Sequence, residues 1–494
     1  MATSRRDALF GLALALIAPA TARAQGGALH GSARFGEGYV EALAAELART
    51  PYVAPAAQAG AAASALDWGA YRRISFRRER ELWAGQGRFR ADFLPAGYIF
   101  PRAVEVYEVA QGRARPILFD PADYAAPAEL ADAVAGIGGF SGLRLKSPIN
   151  RPEVFDEIAV FQGASYFRSL GRGNAYGLSA RGVALGTGGA GREEFPAFRS
   201  FWIERPRPDA EAVVLHALMD GPSLTGAYRF VISPGAATTF EVEASLFPRR
   251  DIADGGVGVA TSMFLFGPAD REGIADPRDA AHDSEGLEIW TGEGRRVWRP
   301  LTNPAALQIS AHEDVSPRGF GLMQRSRSFA AYGDLDLKYE KRPSLWIEPR
   351  GPWGKGSVQL VEIPTRTETF DNIVAFWRPA EAWAAGAPQR LAWRLHWGMD
   401  HPYPAPGARV VATRAGGGRF LVDFQGVQGQ ARATATASAG QAGPVRLSTL
   451  PDSGLLRADF SFQPPSAGPA DLELRLAGDA GDLSETWRYR WTAA

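Results

Sequence analysis

Between residues 282 and 372 the chain sets carboxylates beside aromatic rings. His282-Asp283-Ser284-Glu285-Gly286-Leu287 comes first. Tyr332-Gly333-Asp334-Leu335-Asp336 and Tyr339-Glu340-Lys341-Arg342-Pro343-Ser344-Leu345-Trp346 follow, and Thr369-Phe370-Asp371-Asn372 closes the stretch. Paired carboxyls are the tools of glycosidic-bond chemistry: one holds a proton for the leaving oxygen while the other, ionised, activates water. A pyranose face also needs a flat apolar platform, which Trp290, Trp298, Trp346, Trp353 and Trp377 could supply. The other reading is architectural. Acids beside glycines serve as turn and cap residues, and most tryptophans are core. Composition alone favours that second reading.

Other strings carry less chemistry. Gly186-Thr-Gly188-Gly-Ala-Gly191 spells G-x-G-x-x-G, but Arg192 to Pro196 follow where a phosphate-binding helix would start, so it reads as a loop. Ser179, in Gly177-Leu-Ser179-Ala-Arg181, lacks the second glycine of a nucleophile elbow. His396, Asp400 and His401 match no metal-ligand spacing and read as hydrogen-bonded side chains of a sandwich. The chain has no cysteine, so disulfides, thiolate metal sites and a cysteine nucleophile are excluded. No metal and no cofactor are expected, because acid/base chemistry needs only side chains and water.

Charge narrows the partners. Lys plus Arg number 54 and Asp plus Glu number 54 in 494 residues. No strong field is present to gather nucleic acid or an anionic membrane, and a neutral partner is expected. At the N-terminus, Arg5-Arg6 precede the apolar run Ala8 to Ala20, and Ala22-Arg23-Ala24 offers a cleavage site before Gln25. That run is shorter than the roughly 20 apolar residues of a membrane span. Residues 1–24 read as a signal peptide, the paired arginines suggest the twin-arginine export route, and the mature protein is expected in the periplasm without stable membrane insertion.

These strings must be positioned by strands. Glu37 to Leu47 places Tyr39, Val40, Leu43 and Leu47 on one stripe and predicts a short helix. Beyond Tyr71 the pattern turns to period two. Phe240, Val242, Ala244 and Leu246 alternate with Glu241, Glu243 and Ser245 after Tyr228 to Ile232 and the turn Ser233-Pro234-Gly235, which predicts a hairpin. With 56 Gly and 35 Pro, short strands separated by turns favour stacked antiparallel sheets. The fold class is therefore all-β. A large sandwich is expected over residues 25–385, a linker at 386–390 inside an Ala/Pro/Gly stretch, and a small sandwich over 391–494.

Longer strings carry a family resemblance. Phe161-Gln-Gly-Ala-Ser-Tyr-Phe-Arg168, Tyr176-Gly-Leu-Ser-Ala-Arg181, Thr225-Gly-Ala-Tyr-Arg-Phe230, His282-Asp-Ser284, Arg318-Gly-Phe-Gly-Leu-Met-Gln-Arg325, Arg342-Pro-Ser-Leu-Trp346 and Asp371-Asn-Ile-Val-Ala-Phe-Trp377 resemble the periplasmic glucan biosynthesis proteins of the G/D family. The resemblance implies a galactose-mutarotase-like supersandwich with a cleft, an immunoglobulin-like C-terminal domain, and a β-1,2-linked glucan as partner. A homodimer is compatible with it. It implies an inverting endo-β-1,2-glucanase or a transglycosylase, the alternative being a non-catalytic factor that binds and shapes glucan. By matching position, Asp371 takes the role of general acid, Asp283 that of a base reached through water, and Tyr339 organises the relay, with Asp334 and Asp336 in reserve. Glu285 departs from the expected Asp. The twin-arginine signal makes the chain look closer to the D-type. For these roles Asp371 should be the more enclosed carboxyl and Asp283 should face water.

Overall fold

Alternation in the sequence becomes burial in the fold. In the computed structural model, which describes residues 33–492 apart from 190, 272, 400, 404–406 and 480, Phe240, Val242, Ala244 and Leu246 are buried while Glu241, Glu243 and Ser245 point outward. Their strand, Thr238–Pro248, pairs antiparallel with Leu224–Ser233, setting Phe230 opposite Val242. This hairpin lies inside a sixteen-stranded sheet, which a ten-stranded sheet faces. Phe161 and Phe167 from the smaller sheet meet Phe230 and Phe240 from the larger, with ring centroids 5.3 Å apart for Phe161–Phe230 and 5.8 Å for Phe167–Phe240. Each such buried ring contributes about 1.5–3 kcal/mol. Strands make up 49% and helices 8% of the chain, so the expected all-β sandwich is the fold.

The predicted N-terminal helix runs over Tyr39–Ala48. Its Val40 and Ala44 pack with Tyr107, Trp202 and Phe247 in a small cluster of their own. None of the described helices is long and apolar enough to cross a membrane. The signal segment expected at 1–24 lies outside the described residues.

The junction near residue 390 differs from expectation. Gln389–Gly398 is one strand, held between Thr238–Pro248 and Ser344–Arg350 in the large sheet, with Trp393, Leu395 and Trp397 turned into the core. A second unit starting at 391 would cut this strand in two. The stretch before it is pinned as well: Trp383 exchanges backbone hydrogen bonds with Ile252, and its ring covers Gly255 so closely that a Cβ there would come within 2.5 Å. Turn residues imitate a linker in sequence. A single aromatic packed on a glycine makes the stretch part of the body.

The C-terminal residues extend the large sheet. Thr486–Trp491 pairs in parallel with Arg296–Pro300, Trp298 opposite Trp487, and Ala470–Gly478 and Arg432–Ala437 continue outward. A five-stranded sheet including Arg409–Gly416, Arg419–Gln425 and Leu456–Gln463 completes this unit, and Phe420, Phe460, Leu472, Leu474 and Trp487 share its apolar core.

Candidate functional site

Asp283 follows a two-stranded ribbon formed by Phe264–Phe266 and Ala281–His282. Its backbone N–H donates to the Met263 carbonyl at 2.8 Å, and the next residue, Ser284, accepts from the Ser262 hydroxyl at 2.8 Å. These bonds fix the carboxyl inside the protein, where Asp283 is 4% exposed. The Arg342 guanidinium donates to Asp283 Oδ1 and lies over the Tyr339 ring, 4.4 Å from its centroid. Arg342 is delivered by a short 3-10 turn, Tyr339–Lys341, which starts from Lys338 in the left-handed region at φ 49°. Its stem crosses Gly177, where a Cβ would come within 3.0 Å of Arg342.

Asp371 reaches the same place from another loop. Asn372, fully buried, staples that loop: its side-chain carbonyl accepts the Phe264 N–H at 2.8 Å, and its amide nitrogen donates to the carbonyls of Phe264 and Ile363 at 3.0 Å each. Asp371 itself keeps 32% of its side-chain surface and pairs with Arg168 at 3.5 Å. A network extends sideways from here. The Tyr339 hydroxyl donates to Glu368 at 3.0 Å, and Arg278 binds Glu368, Asp334 and Asp276 at 2.9, 2.8 and 2.8 Å.

Electrostatics separates the two carboxyls. Burial pushes the Asp283 carboxyl up to about 6; Arg342 opposes the rise, and the charge of Asp371 adds to it. The expected burial is therefore reversed, since Asp283 is the enclosed carboxyl and Asp371 the open one. The reason is tertiary: Arg342 and its turn close over Asp283, whereas nothing among the described residues covers Asp371 to the same degree. Burial, with Glu368 beside it, raises the Tyr339 hydroxyl as well. A carboxyl whose proton affinity is lifted towards neutrality, in electrostatic contact with a solvent-facing second carboxyl, is equipped to exchange protons.

The tryptophans correct another expectation. Trp298, Trp346, Trp353 and Trp377 are 2%, 0%, 7% and 0% exposed. Trp298, Trp346 and Trp377 fill space left by glycines on adjoining strands, for a Cβ at Gly286, Gly319 or Gly356 would come within 2.3, 2.3 and 2.5 Å of their rings. They are core, not sugar platforms. Trp290 keeps a partly open face but sits beneath the guanidiniums of Arg296 and Arg318, at 4.0 and 5.4 Å. An open ring lies next to Asp371 in Phe370, 55% exposed; Phe195, 49% exposed, lies beside Arg181. No local pattern in the sequence distinguishes an exposed phenylalanine from a buried tryptophan.

The remaining candidates are structural. Asp334 accepts the N–H groups of Asp336 and Leu337 at 3.0 and 2.8 Å, and these bonds with Arg278 outweigh burial and hold its carboxyl below the usual range. Asp336 is exposed. Glu285 accepts from the N–H groups of Arg325 and Ser326 at 3.1 and 2.9 Å, so its departure from Asp concerns a turn rather than Asp283. His396 meets Glu348 at 3.1 Å and His401 meets Arg296 at 3.1 Å, as hydrogen-bonded imidazoles of the sheet; no cluster able to hold a metal occurs among the described residues. Arg342, Arg168, Glu368 and Gln324 escaped notice in sequence because charge or amide character alone does not reveal which carboxylate or carbonyl it meets.

A family described as periplasmic glucan biosynthesis protein, MdoG, matches residues 35–491. A glucans biosynthesis protein G of Rhodopseudomonas palustris (strain BisA53) is 44% identical over 503 residues, covering 99% of this chain and 100% of that relative. Proteins of the same name from Vibrio cholerae and Bradyrhizobium diazoefficiens are 44% and 41% identical, covering 91% and 99% of this chain and 85% and 100% of their own lengths. These relatives carry the G name and lend no support to the D-type kinship drawn from Arg5-Arg6. With nearly its whole length matched, the chain belongs to the periplasmic glucan biosynthesis protein family.

Proposed function

We propose that the protein acts on β-1,2-linked glucan as an inverting endo-glucanase or a transglycosylase, with Asp371 as acid and Asp283 as base. The observation that carries this reading is the enclosed Asp283 carboxyl, lifted to about 6 beside Arg342 and sensing Asp371. Above that pH it is ionised, and burial makes it a stronger proton acceptor than an ordinary aspartate. Asp371, which keeps 32% of its side-chain surface, is open to an arriving sugar. Tyr339 contributes through its ring, which supports Arg342. Phe370 takes the place of the tryptophans as a stacking surface.

One observation favours the second reading, a factor that binds and shapes glucan without turnover. Each carboxyl already faces an arginine, Asp283 with Arg342 and Asp371 with Arg168. Incubating the purified protein with linear β-1,2-glucan, followed by chain-length and linkage analysis, decides between the two. Shorter chains, new linkages or rings support the enzyme; binding without any change of product supports the shaping factor. Export by the twin-arginine route is proposed from Arg5-Arg6 alone, and normal periplasmic accumulation of an Arg5→Lys, Arg6→Lys variant would refute it.

A further inference from the structure

The end of the chain reaches back to the candidate site. Glu485, just ahead of the strand Thr486–Trp491, is 2% exposed. Its carboxylate takes two nitrogens of Arg325 at 2.5 and 3.0 Å and the Val410 N–H at 2.6 Å. Arg325 also donates to the Val410 carbonyl at 2.6 Å and to Glu288 at 2.8 Å, and stacks on Trp298 at 3.6 Å. Arg296 holds the other oxygen of Glu288 at 2.8 Å. Two carboxylates and two guanidiniums thus neutralise each other in a buried junction between the C-terminal unit and the body.

The residues on either side of Arg325 hold the site. The Gln324 amide donates to the carbonyls of His282 and Tyr339, both at 3.1 Å, and its oxygen meets the His282 ring at 2.9 Å. His282 is bonded to Asp283, and the Tyr339 ring supports Arg342. On the other side Arg327 donates to the Arg342 carbonyl, to Ser344 Oγ at 3.1 Å and to the Met399 carbonyl at 2.8 Å. Gln324, Arg325 and Arg327 therefore tie the C-terminal unit to both partners of the Asp283–Arg342 pair. A segment held this way passes a displacement of Arg325 directly to its neighbours.

We propose that Glu485 is a positioning residue for the Asp283–Arg342 pair, acting through Arg325 and the 324–327 segment, so that the C-terminal unit is part of the scaffold of the site; this rests on the reading of that site as glucan-acting. Neutralising Glu485 leaves two buried guanidiniums sharing one carboxylate, and the segment shifts to relieve them. Displacements of an ångström at a catalytic group cost up to about a hundredfold in rate.

The test compares Glu485→Gln and Glu485→Asp with Asp423→Asn in the full chain. Asp423 is 2% exposed and pairs with Arg414 and Arg457 inside the C-terminal unit, so its loss loosens that unit without touching residues 324–327. Glu485→Gln is expected to speed amide hydrogen exchange across 324–327 and 339–342, and to lower kcat on linear β-1,2-glucan by about tenfold while KM moves less than about twofold. Glu485→Asp, which keeps the charge, recovers most of both and stands as the decisive variant if Glu485→Gln does not fold. Equal exchange at 324–342 in the Glu485 and Asp423 variants, or a parental kcat in Glu485→Gln, overturns the proposal. A parent without turnover defeats the enzymatic reading instead, and the exchange comparison then decides the positioning role by itself.

Discussion

Two buried arginine–carboxylate pairs in this protein end in opposite states. Glu362, fully buried, accepts from Arg299 at 2.7 Å and from the Thr302 N–H and hydroxyl at 2.7 and 2.9 Å. Asp283 accepts from Arg342 alone among the described residues, and a second carboxyl lies close enough to raise its proton affinity. Several donors fix a buried carboxylate in place, whereas burial and a neighbouring like charge raise the proton affinity of Asp283, which has spare acceptor capacity. Burial and ion pairing therefore do not distinguish architecture from chemistry in this molecule. The number of donors and the sign of the next neighbour do.

The largest expected effect separates the two pairs by what fails. Asp283→Asn and Asp371→Asn should each lower kcat on β-1,2-glucan by about 10²–10⁴-fold with glucan affinity retained, measured by steady-state kinetics and calorimetry. Glu362→Gln should instead cost about 3–5 kcal/mol of stability in chemical denaturation, because Arg299 is left buried with only weaker partners.

Next in size is a stability difference across pH. Asp283 has a folded value of about 6, above its unfolded one, so its contribution to stability is fully present below about pH 4 and is lost as pH rises through about 6. That loss amounts to about 3 kcal/mol, at about 1.4 kcal/mol for each of roughly two pH units. Asp283→Asn should remove this dependence, read as the parent-minus-variant difference in denaturation free energy at pH 4 and pH 7.5. An unchanged difference would mean that Asp283 does not change its protonation between those two pH values.

The hairpin around Phe240 and the short N-terminal helix were legible because alternation and helical stripes are local signals. Asp283, Asp371 and Tyr339 were legible only through the resemblance, since their convergence depends on Asn372, Gln324 and the turn at Lys338. The burial of the two aspartates runs opposite to expectation because the cover over Asp283 comes from Arg342, distant in sequence. Trp298, Trp346 and Trp377 looked like platforms because the glycines that receive them lie on other strands. Strand pairing with Thr238–Pro248 and Ser344–Arg350, not composition, decides where residues 389–398 belong.

The smallest expected effect concerns the rings. Phe370→Ala should weaken glucan binding by about tenfold and Trp290→Ala by less than about twofold, in line with one exposed aromatic contact against one already covered by two guanidiniums. Isothermal titration with linear β-1,2-glucan measures both. Equal losses would return Trp290 to the binding surface.

The pH profile of kcat/KM on linear β-1,2-glucan tests the central claim most directly. With Asp283 as base, activity rises through an acid limb near pH 6, and Arg342→Gln moves that limb to higher pH because the cation favouring the ionised form is gone. Turnover by Asp283→Asn at the parental rate, or a limb that stays in place in Arg342→Gln, would contradict it.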